Sequence, residues 1–298
     1  MEKLNCILCN SNDYEAIIET KDFRYHLSDD IFNVVKCRNC GLVFLNPRPE
    51  KDEMGKFYPS GYYNASPGKS EKAFCNFVNR SKINKIKELK QHGRILDIGC
   101  GNGDFLSVFS PEEWELYGIE PNPVGYNLTR RRTKINTLNE TLAGCKFPDN
   151  FFDVITLWHV LEHIYEPNEE LKEIGRILKD DGILVVSVPN INSLGFKLGK
   201  KHWLHLDSPR HLHHYNPETI DKIVNKNGFK IFKMTFPMFE FPLDLYHSLI
   251  NSVDKKKSIK TTLMVPVMVF SLIIKPIGHI FKLSETMIVF CKKNEMEV

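Results

Sequence analysis

Four of the eight cysteines in this 298-residue chain form two Cys-x-x-Cys pairs, Cys6 with Cys9 and Cys37 with Cys40. Two such knuckles, separated by 27 residues, can close one tetrahedral Zn(II) site, because four thiolates fill the coordination shell of that ion. With no position left for water the metal would be structural, supplying folding free energy to a module too small to build its own core. A redox dithiol is the rival chemistry at this spacing. The remaining cysteines, Cys75, Cys100, Cys145 and Cys291, are scattered.

A second site is written into Ile95-Leu-Asp-Ile-Gly-Cys-Gly-Asn-Gly-Asp-Phe-Leu106, an apolar strand leading into a glycine-rich turn and then a helix start. Gly99, Gly101 and Gly103 let a ligand approach the backbone, since a Cβ at those points would obstruct the turn or the ligand. The next strand ends in Gly118-Ile119-Glu120, which sets a carboxylate at the carboxyl edge of a sheet, where it can accept both hydroxyls of a ribose. Asp104 stands where a dinucleotide loop approaches its third glycine, and a carboxylate at a helix N-terminus repels a diphosphate. The pocket therefore suits a ligand with a ribose and a positive charge and without phosphate.

Histidines gather where a proton would have to move. His159, Glu162 and His163 follow a candidate strand at spacings i, i+3 and i+4, so a helical stretch would place them on one face. The run from His202 to Tyr215 holds five histidines beside Pro209-Arg210-His211, in a position where loops cover the ligand edge of a doubly wound sheet. Histidine near its ordinary pKa suits general-base work at an oxygen or carbon acceptor.

Positioning these groups requires a parallel sheet, and the chain supplies the alternation of apolar runs and helical patterns that builds one. The expected strands are Arg94 to Ile98, Leu116 to Ile119, Phe152 to Leu157, Ile183 to Val188, Phe229 to Phe236 and Met287 to Cys291. A leading amphipathic helix covers Lys72 to Gln91. Another places Leu171, Ile174, Ile177 and Leu178 on one face and closes at Asp181-Gly182, and a third runs from Pro217 to Gly228. The expected organisation is a zinc-binding ribbon over 1–50, a connector and leading helix over 51–92, and a ligand-binding domain over 93–298 with an apolar insertion at 255–283.

With 42% hydrophobic and 26% charged residues, the composition excludes a disordered or low-complexity chain. The net charge of +3 is too small to imply a nucleic-acid coat. The N-terminus lacks the basic-then-apolar pattern of a secretory signal, so the expected compartment is the reducing cytoplasm. Lys255-Lys256-Lys257 precedes a stretch from Thr261 to Ile274 that is free of charge, too short to span about 30 Å of hydrocarbon and interrupted by Pro266. A buried helix is the plain expectation. Contact of 261–281 with the inner membrane surface is the alternative, which would matter for a lipid-linked acceptor. Arg130-Arg131-Arg132 is expected to be the solvated end of a helix.

From about Arg94 to Gly228 the chain resembles the class I S-adenosylmethionine-dependent methyltransferases. The resemblance rests on the glycine turn, on Phe151-Phe-Asp-Val-Ile-Thr-Leu-Trp-His-Val-Leu-Glu-His-Ile164 and on Gly182-Ile-Leu-Val-Val-Ser-Val-Pro-Asn190. It implies an α/β fold, Rossmann-like and doubly wound, whose mostly parallel sheet has seven strands where six are visible. It also implies that Asp97, Gly99, Cys100, Gly101 and Gly103 hold the methionine end of the cofactor. Glu120 and Pro121 would then hold the ribose and Leu142 the adenine, with Trp158 and His159 alongside.

The stretch around His159, Glu162 and His163 is similar to ubiquinone-type O-methyltransferases, some of which carry a divalent metal at this triad. Pro209-Arg210-His211 resembles the Pro-Glu-His of zinc-containing sugar C-methyltransferases, and Cys40-Gly-Leu-Val-Phe-Leu-Asn-Pro-Arg-Pro49 resembles their exit from the second knuckle. That likeness implies His211, His163 and Glu162 as the proton-handling groups. It brings Tyr62 and Tyr63 to the cofactor, and Tyr58, Arg210 and His214 to the acceptor. Arg in place of Glu allows an anionic acceptor, which a guanidinium can clamp. The expected activity is methyl transfer to a hydroxyl, or a ring carbon, of a nucleotide-activated or glycan-linked sugar. An RNA base methyltransferase using the ribbon to grip RNA is the alternative; the near-neutral charge counts against it.

Overall fold

The computed structural model describes residues 1–59, 68–132, 134–238, 240–253 and 257–294. Tyr62 and Tyr63 lie outside the described residues, as do the first two residues of the insertion. The chain begins with strands β1 (Tyr14–Thr20), β2 (Phe32–Cys37) and β3 (Val43–Leu45), followed by helix α1 (Lys69–Lys87). Next come β4 (Gly93–Ile98), β5 (Trp114–Ile119), α2 (Pro123–Thr129), β6 (Ile135–Leu138), β7 (Phe152–Trp158), α3 (Pro167–Ile177) and β8 (Leu178–Pro189). The remainder is α4 (Leu194–Gly199), β9 (His213–His214), α5 (Pro217–Lys226), β10 (Phe229–Thr235), α6 (Asp244–Ser252), α7 (Lys257–Ile280) and β11 (Thr286–Lys293).

The larger sheet has seven strands in the order β10-β11-β8-β7-β4-β5-β6. Strands β8, β7, β4, β5 and β6 run parallel, and β11 runs against both its neighbours. Its central strands are near-continuous apolar runs because both faces are covered. Successive residues point to opposite faces, so Ile95 and Val154 join Ile83 and Ile86 of α1 in one core, while Leu96 and Ile155 join Leu171 and Ile174 of α3 and Ile220 of α5 in the other. Strand order reverses at β4, whose chain continues to β5 on one side while β7 pairs on the other. A ligand crevice belongs outside the carboxyl ends of strands at such a point.

The seventh strand, β6, is only four residues long and carries Asn136 and Thr137, so its sequence does not read as an apolar run. Two local expectations give way. No α-helix follows the glycine turn: Leu106–Val108 is a single 3-10 turn. Phe105, Leu106 and Phe109 are all buried in one core there, and Ser110-Pro111 disfavours helical continuation. Nor does Asp181-Gly182 close a helix, because α3 ends at Ile177 and Leu178 pairs directly with Phe152 as the start of β8.

The smaller sheet corrects the expectation of modules in series. Its order is β1-β2-β3-β9, so the N-terminal ribbon takes its fourth strand from residues 213–214, with Val43 opposite His214 and Phe44 opposite His213. Cys6, Cys37, Leu42 and Phe44 share one hydrophobic core with α3, α5 and Tyr215. The ribbon is thus packed into the larger unit rather than appended at residue 50.

Candidate active site

A cleft of about 710 Å³ opens at the strand-order reversal. Ile98, Gly99 and Gly101 line it from the loop after β4, and Ile119, Glu120 and Pro121 from the end of β5. Leu142 closes it from a 3-10 turn, Trp158 and His159 from the end of β7, and Tyr58 and His163 from the far side. Gly99 cannot be replaced freely: its φ is +68° and a Cβ would lie 2.6 Å from Val160 Cγ2. Glu120 is buried; its Oε2 accepts the Gly101 N–H at 2.9 Å and its Oε1 the Asn122 N–H at 2.9 Å, which ties the glycine loop to the carboxylate.

Other expected ligand residues stand behind this surface. Asp97 is buried, receives the Thr156 hydroxyl at 2.6 Å, and is pushed up to about 7 by burial. Cys100 turns inward, since its Sγ lies 2.7 Å from where a Cβ on Gly118 would be, and it belongs to the core under the sheet. Gly103 packs against Thr129, where a Cβ would lie 2.8 Å from Thr129 Cγ2. Asp104 is neutralised by Arg132, whose Nε also donates to the Asn102 carbonyl at 2.8 Å. Arg132 therefore clamps the loop instead of ending a helix in solvent.

His159, Glu162 and His163 do not share a helical face. His159 has φ +56°, and only Leu161–His163 form a 3-10 turn. His159 turns to Glu240, with Nε2 3.2 Å from its Oε1, and its Nδ1 is 3.6 Å from Glu162 Oε1. Burial alone would lower the His159 pKa, but the Glu240 and Glu162 carboxylates outweigh it and raise it to about 9. Glu240 also receives Lys82 of α1 at 2.6 Å and the hydroxyl of Thr286 at 2.9 Å. No motif marked Glu240 or Lys82; the fold alone brings them together.

His163 is the cleft-facing histidine. Its Nδ1 lies 2.9 Å from the Arg210 carbonyl and 3.3 Å from the Tyr58 hydroxyl. Because a carbonyl only accepts, Nδ1 carries the proton and Nε2 keeps its lone pair. His211 sits behind it, ring centroids 4.6 Å apart, with Nδ1 donating to the His205 carbonyl at 2.8 Å. Burial, and then the neighbouring His163, His214 and His205, drive the His211 pKa well below the usual histidine range. His211 is therefore a neutral interior group and not a base poised near pH 7. His214 is also buried, and neither of its ring nitrogens finds a partner. Glu162, His163 and His211 hold potential ligand atoms within 4.8 Å of one another, and both Glu162 carboxylate oxygens are buried without a hydrogen bond. A divalent cation fits that donor set, with His211 in the place expected for His159.

Arg210 is not available to an acceptor. It is fully buried, with Nη2 at 2.7 Å from both Asp22 Oδ1 and Asp207 Oδ1, and Nη1 donating to the Phe57 carbonyl at 2.8 Å. A guanidinium beside a buried polar loop is spent on that loop's own carboxylates before any substrate arrives.

Cys6, Cys9, Cys37 and Cys40 converge, with Sγ–Sγ distances of 3.4 Å for Cys6–Cys40 and 3.5 Å for Cys9–Cys37. Thiolates bound at about 2.3 Å around one tetrahedral Zn(II) would stand roughly 3.8 Å apart, so the donor set fits that ion. Gly41, with φ +84°, donates its N–H to the Cys37 carbonyl at 3.0 Å and turns the second knuckle.

The chain belongs to the methyltransferase domain family, whose model matches residues 72–233. Its fold is that of the class I S-adenosylmethionine-dependent methyltransferases. An uncharacterized methyltransferase of Bacillus subtilis, YcgJ, is 29% identical over 125 residues, 40% of this chain and 49% of that protein. A probable S-adenosylmethionine-dependent methyltransferase of Mycobacterium tuberculosis is 24% identical over 136 residues, covering 45% and 48%. The chain thus spans about half the length of these curated relatives. Among solved structures, phosphoethanolamine N-methyltransferase 2 of Haemonchus contortus, in complex with S-adenosylhomocysteine, matches with a TM-score of 0.55. That match has 14% identity over 95% of this chain and 68% of that one, a likeness of fold alone.

Proposed function

We propose that this protein transfers a methyl group from S-adenosylmethionine to a hydroxyl of a small polar acceptor, a sugar. The observation that carries this reading is the single cleft joining the Gly99–Gly101 loop, the Glu120 carboxylate and Leu142 to Tyr58 and His163. S-adenosylmethionine supplies, when bound, a sulfonium-activated methyl that needs no covalent help from the protein. Glu120 accepts the ribose hydroxyls, Leu142 offers an apolar wall to the adenine, and Asp97 supports the methionine end. The task left to the chain is to hold the acceptor in line and exclude water. His163 Nε2 would take the acceptor hydroxyl proton as the methyl carbon passes from sulfur to that oxygen and the neutral thioether S-adenosylhomocysteine leaves, while Nδ1–H stays on the Arg210 carbonyl. Tyr58 orients that imidazole.

The sequestration of Arg210 favours a glycan-linked sugar over a nucleotide-activated one, because the guanidinium that would have clamped a diphosphate is used within the fold. Glu166, Glu169, Glu170 and Glu173 also line the cleft, and an acidic wall disfavours an anionic acceptor. The four cysteines would hold a structural Zn(II) that pins the ribbon beside the acceptor side. A second reading places a divalent cation on Glu162, His163 and His211, favoured by the Glu162 carboxylate, whose buried oxygens accept no hydrogen bond. It would give His163 the role of ligand in place of base.

Purified protein incubated with labelled methyl donor and a mixture of glycans, nucleotide sugars and RNA tests the proposal by which fraction takes the label. His163→Ala should lower turnover on the labelled acceptor by about 10²–10⁴-fold, with S-adenosylhomocysteine affinity by calorimetry within a few-fold of wild type. Label confined to RNA overturns the sugar reading. Unchanged turnover removes His163 from the chemistry, and turnover that requires a divalent cation beyond one zinc per chain favours the cation.

A further inference from the structure

The expected buried helix at 261–274 is instead the most exposed apolar element among the described residues. Helix α7 is inside out. Toward the protein it buries Ser271, Lys275 and Gly278, with Leu263, Val267 and Ile274 half-buried, and outward it presents Val265, Val269, Leu272, Ile273, Ile277 and Ile280. Val265 is 63% exposed, Ile273 65% and Ile280 73%. A helix on the surface of a water-soluble protein shows the reverse, with apolar residues in and polar residues out. Polar groups turned to the protein and an apolar exterior are the arrangement that hydrocarbon imposes. Lys275, the one lysine between 261 and 280, is neutralised within the fold: its Nζ is 2.6 Å from Asp244 Oδ1 and 2.5 Å from the Phe241 carbonyl.

By length and composition the stretch Thr261–Ile280 could cross a membrane, with only 17% of its apolar window buried. The topology excludes a crossing. Before α7 stands α6, held to the lid by Asp244 facing His205 at 3.5 Å; after it stands β11, between β10 and β8 in the large sheet. A single crossing would put these two parts of one folded body on opposite sides of a bilayer. The helix can only lie along a surface, and the sequence where it starts, Lys255-Lys256-Lys257-Ser258-Ile259-Lys260, is complementary in charge to anionic headgroups.

We propose that α7 is a membrane-docking helix, lying in the boundary between headgroups and acyl chains of an anionic phospholipid bilayer. Phe241 connects it to the cleft: its carbonyl accepts from Lys275 and its ring centroid lies 5.0 Å from that of His159. If the methyl-transfer reading also holds, the acceptor sugar is carried on a lipid; the docking itself does not rest on that reading.

Flotation of the full chain with vesicles tests this. The protein should float with mixed phosphatidylcholine and phosphatidylglycerol vesicles and at least about tenfold less with phosphatidylcholine alone. The double substitution Val265→Glu with Ile273→Glu alters only outward side chains, and should cut vesicle partitioning at least about tenfold while circular dichroism and the melting temperature stay at wild-type values. A second variant, Lys256→Ala with Lys257→Ala, should weaken binding to the anionic vesicles alone. A wild-type protein that does not float, whether monomeric or sealed into a dimer through α7 by sedimentation, overturns the proposal, as does undiminished binding by the glutamate variant.

Discussion

Arg210 and Asp22 stand 188 residues apart in the chain and form an ion pair in which neither side chain touches solvent, with Nη2 2.7 Å from Oδ1. Asp22 also receives the backbone N–H groups of Tyr25 and Leu27, and the Arg210 guanidinium stacks 4.6 Å from the Tyr25 ring centroid. The pair locks the ribbon to the histidine-rich lid.

Removing one partner leaves a buried charge without compensation. Arg210→Ala should destabilise the protein by about 3–5 kcal/mol. Urea denaturation measures the loss, and limited proteolysis should show early cuts in the ribbon. A loss below about 1 kcal/mol would show that water reaches Asp22 and Asp207.

The cysteine cluster makes metal and fold inseparable. Metal analysis of the purified protein should find one zinc per chain, and a strong zinc chelator should lower the melting temperature by at least about 10 °C. Cys37→Ser should reproduce that loss without chelator. A metal-free protein with an unchanged melting temperature would leave the dithiol reading.

Asp97 gives the ligand-free protein a pH dependence of definite sign. Burial raises its carboxyl from the usual 3.8 to about 7. The folded state therefore holds a proton that the unfolded chain releases earlier, and the resulting stabilisation is complete below 3.8 and lost as pH rises through about 7. The difference is on the order of 4 kcal/mol. Asp97→Asn should flatten this part of the stability profile and be more stable than wild type at about pH 8, with weaker binding of S-adenosylmethionine. Denaturant titrations at about pH 4 and pH 8 would show an equal slope in both proteins if Asp97 stays ionised.

Motif residues that lie within one strand-turn unit were legible because local geometry fixes them. Gly99 and Gly101 line the cleft with Glu120 just where the strand ends place them. Residues assigned by likeness but separated from the cleft by a second layer were misplaced. Arg210 and His211 are next to His163 in space, yet both side chains are buried on the fold's own groups, Arg210 on Asp22 and Asp207 and His211 on the His205 carbonyl.

The amino-acid order alone determined the parallel sheet, the glycine loop with its acidic partner and the four-cysteine donor set, because each depends on residues within one turn or one strand-end spacing. Tertiary structure alone decided which histidine meets the cleft, that Arg210 is consumed by Asp22 and Asp207, that β9 joins the ribbon sheet, and which face of α7 looks outward. Those outcomes depend on partners about 30 to 190 residues away, and burial by such partners, not residue type, sets a group's charge and reach.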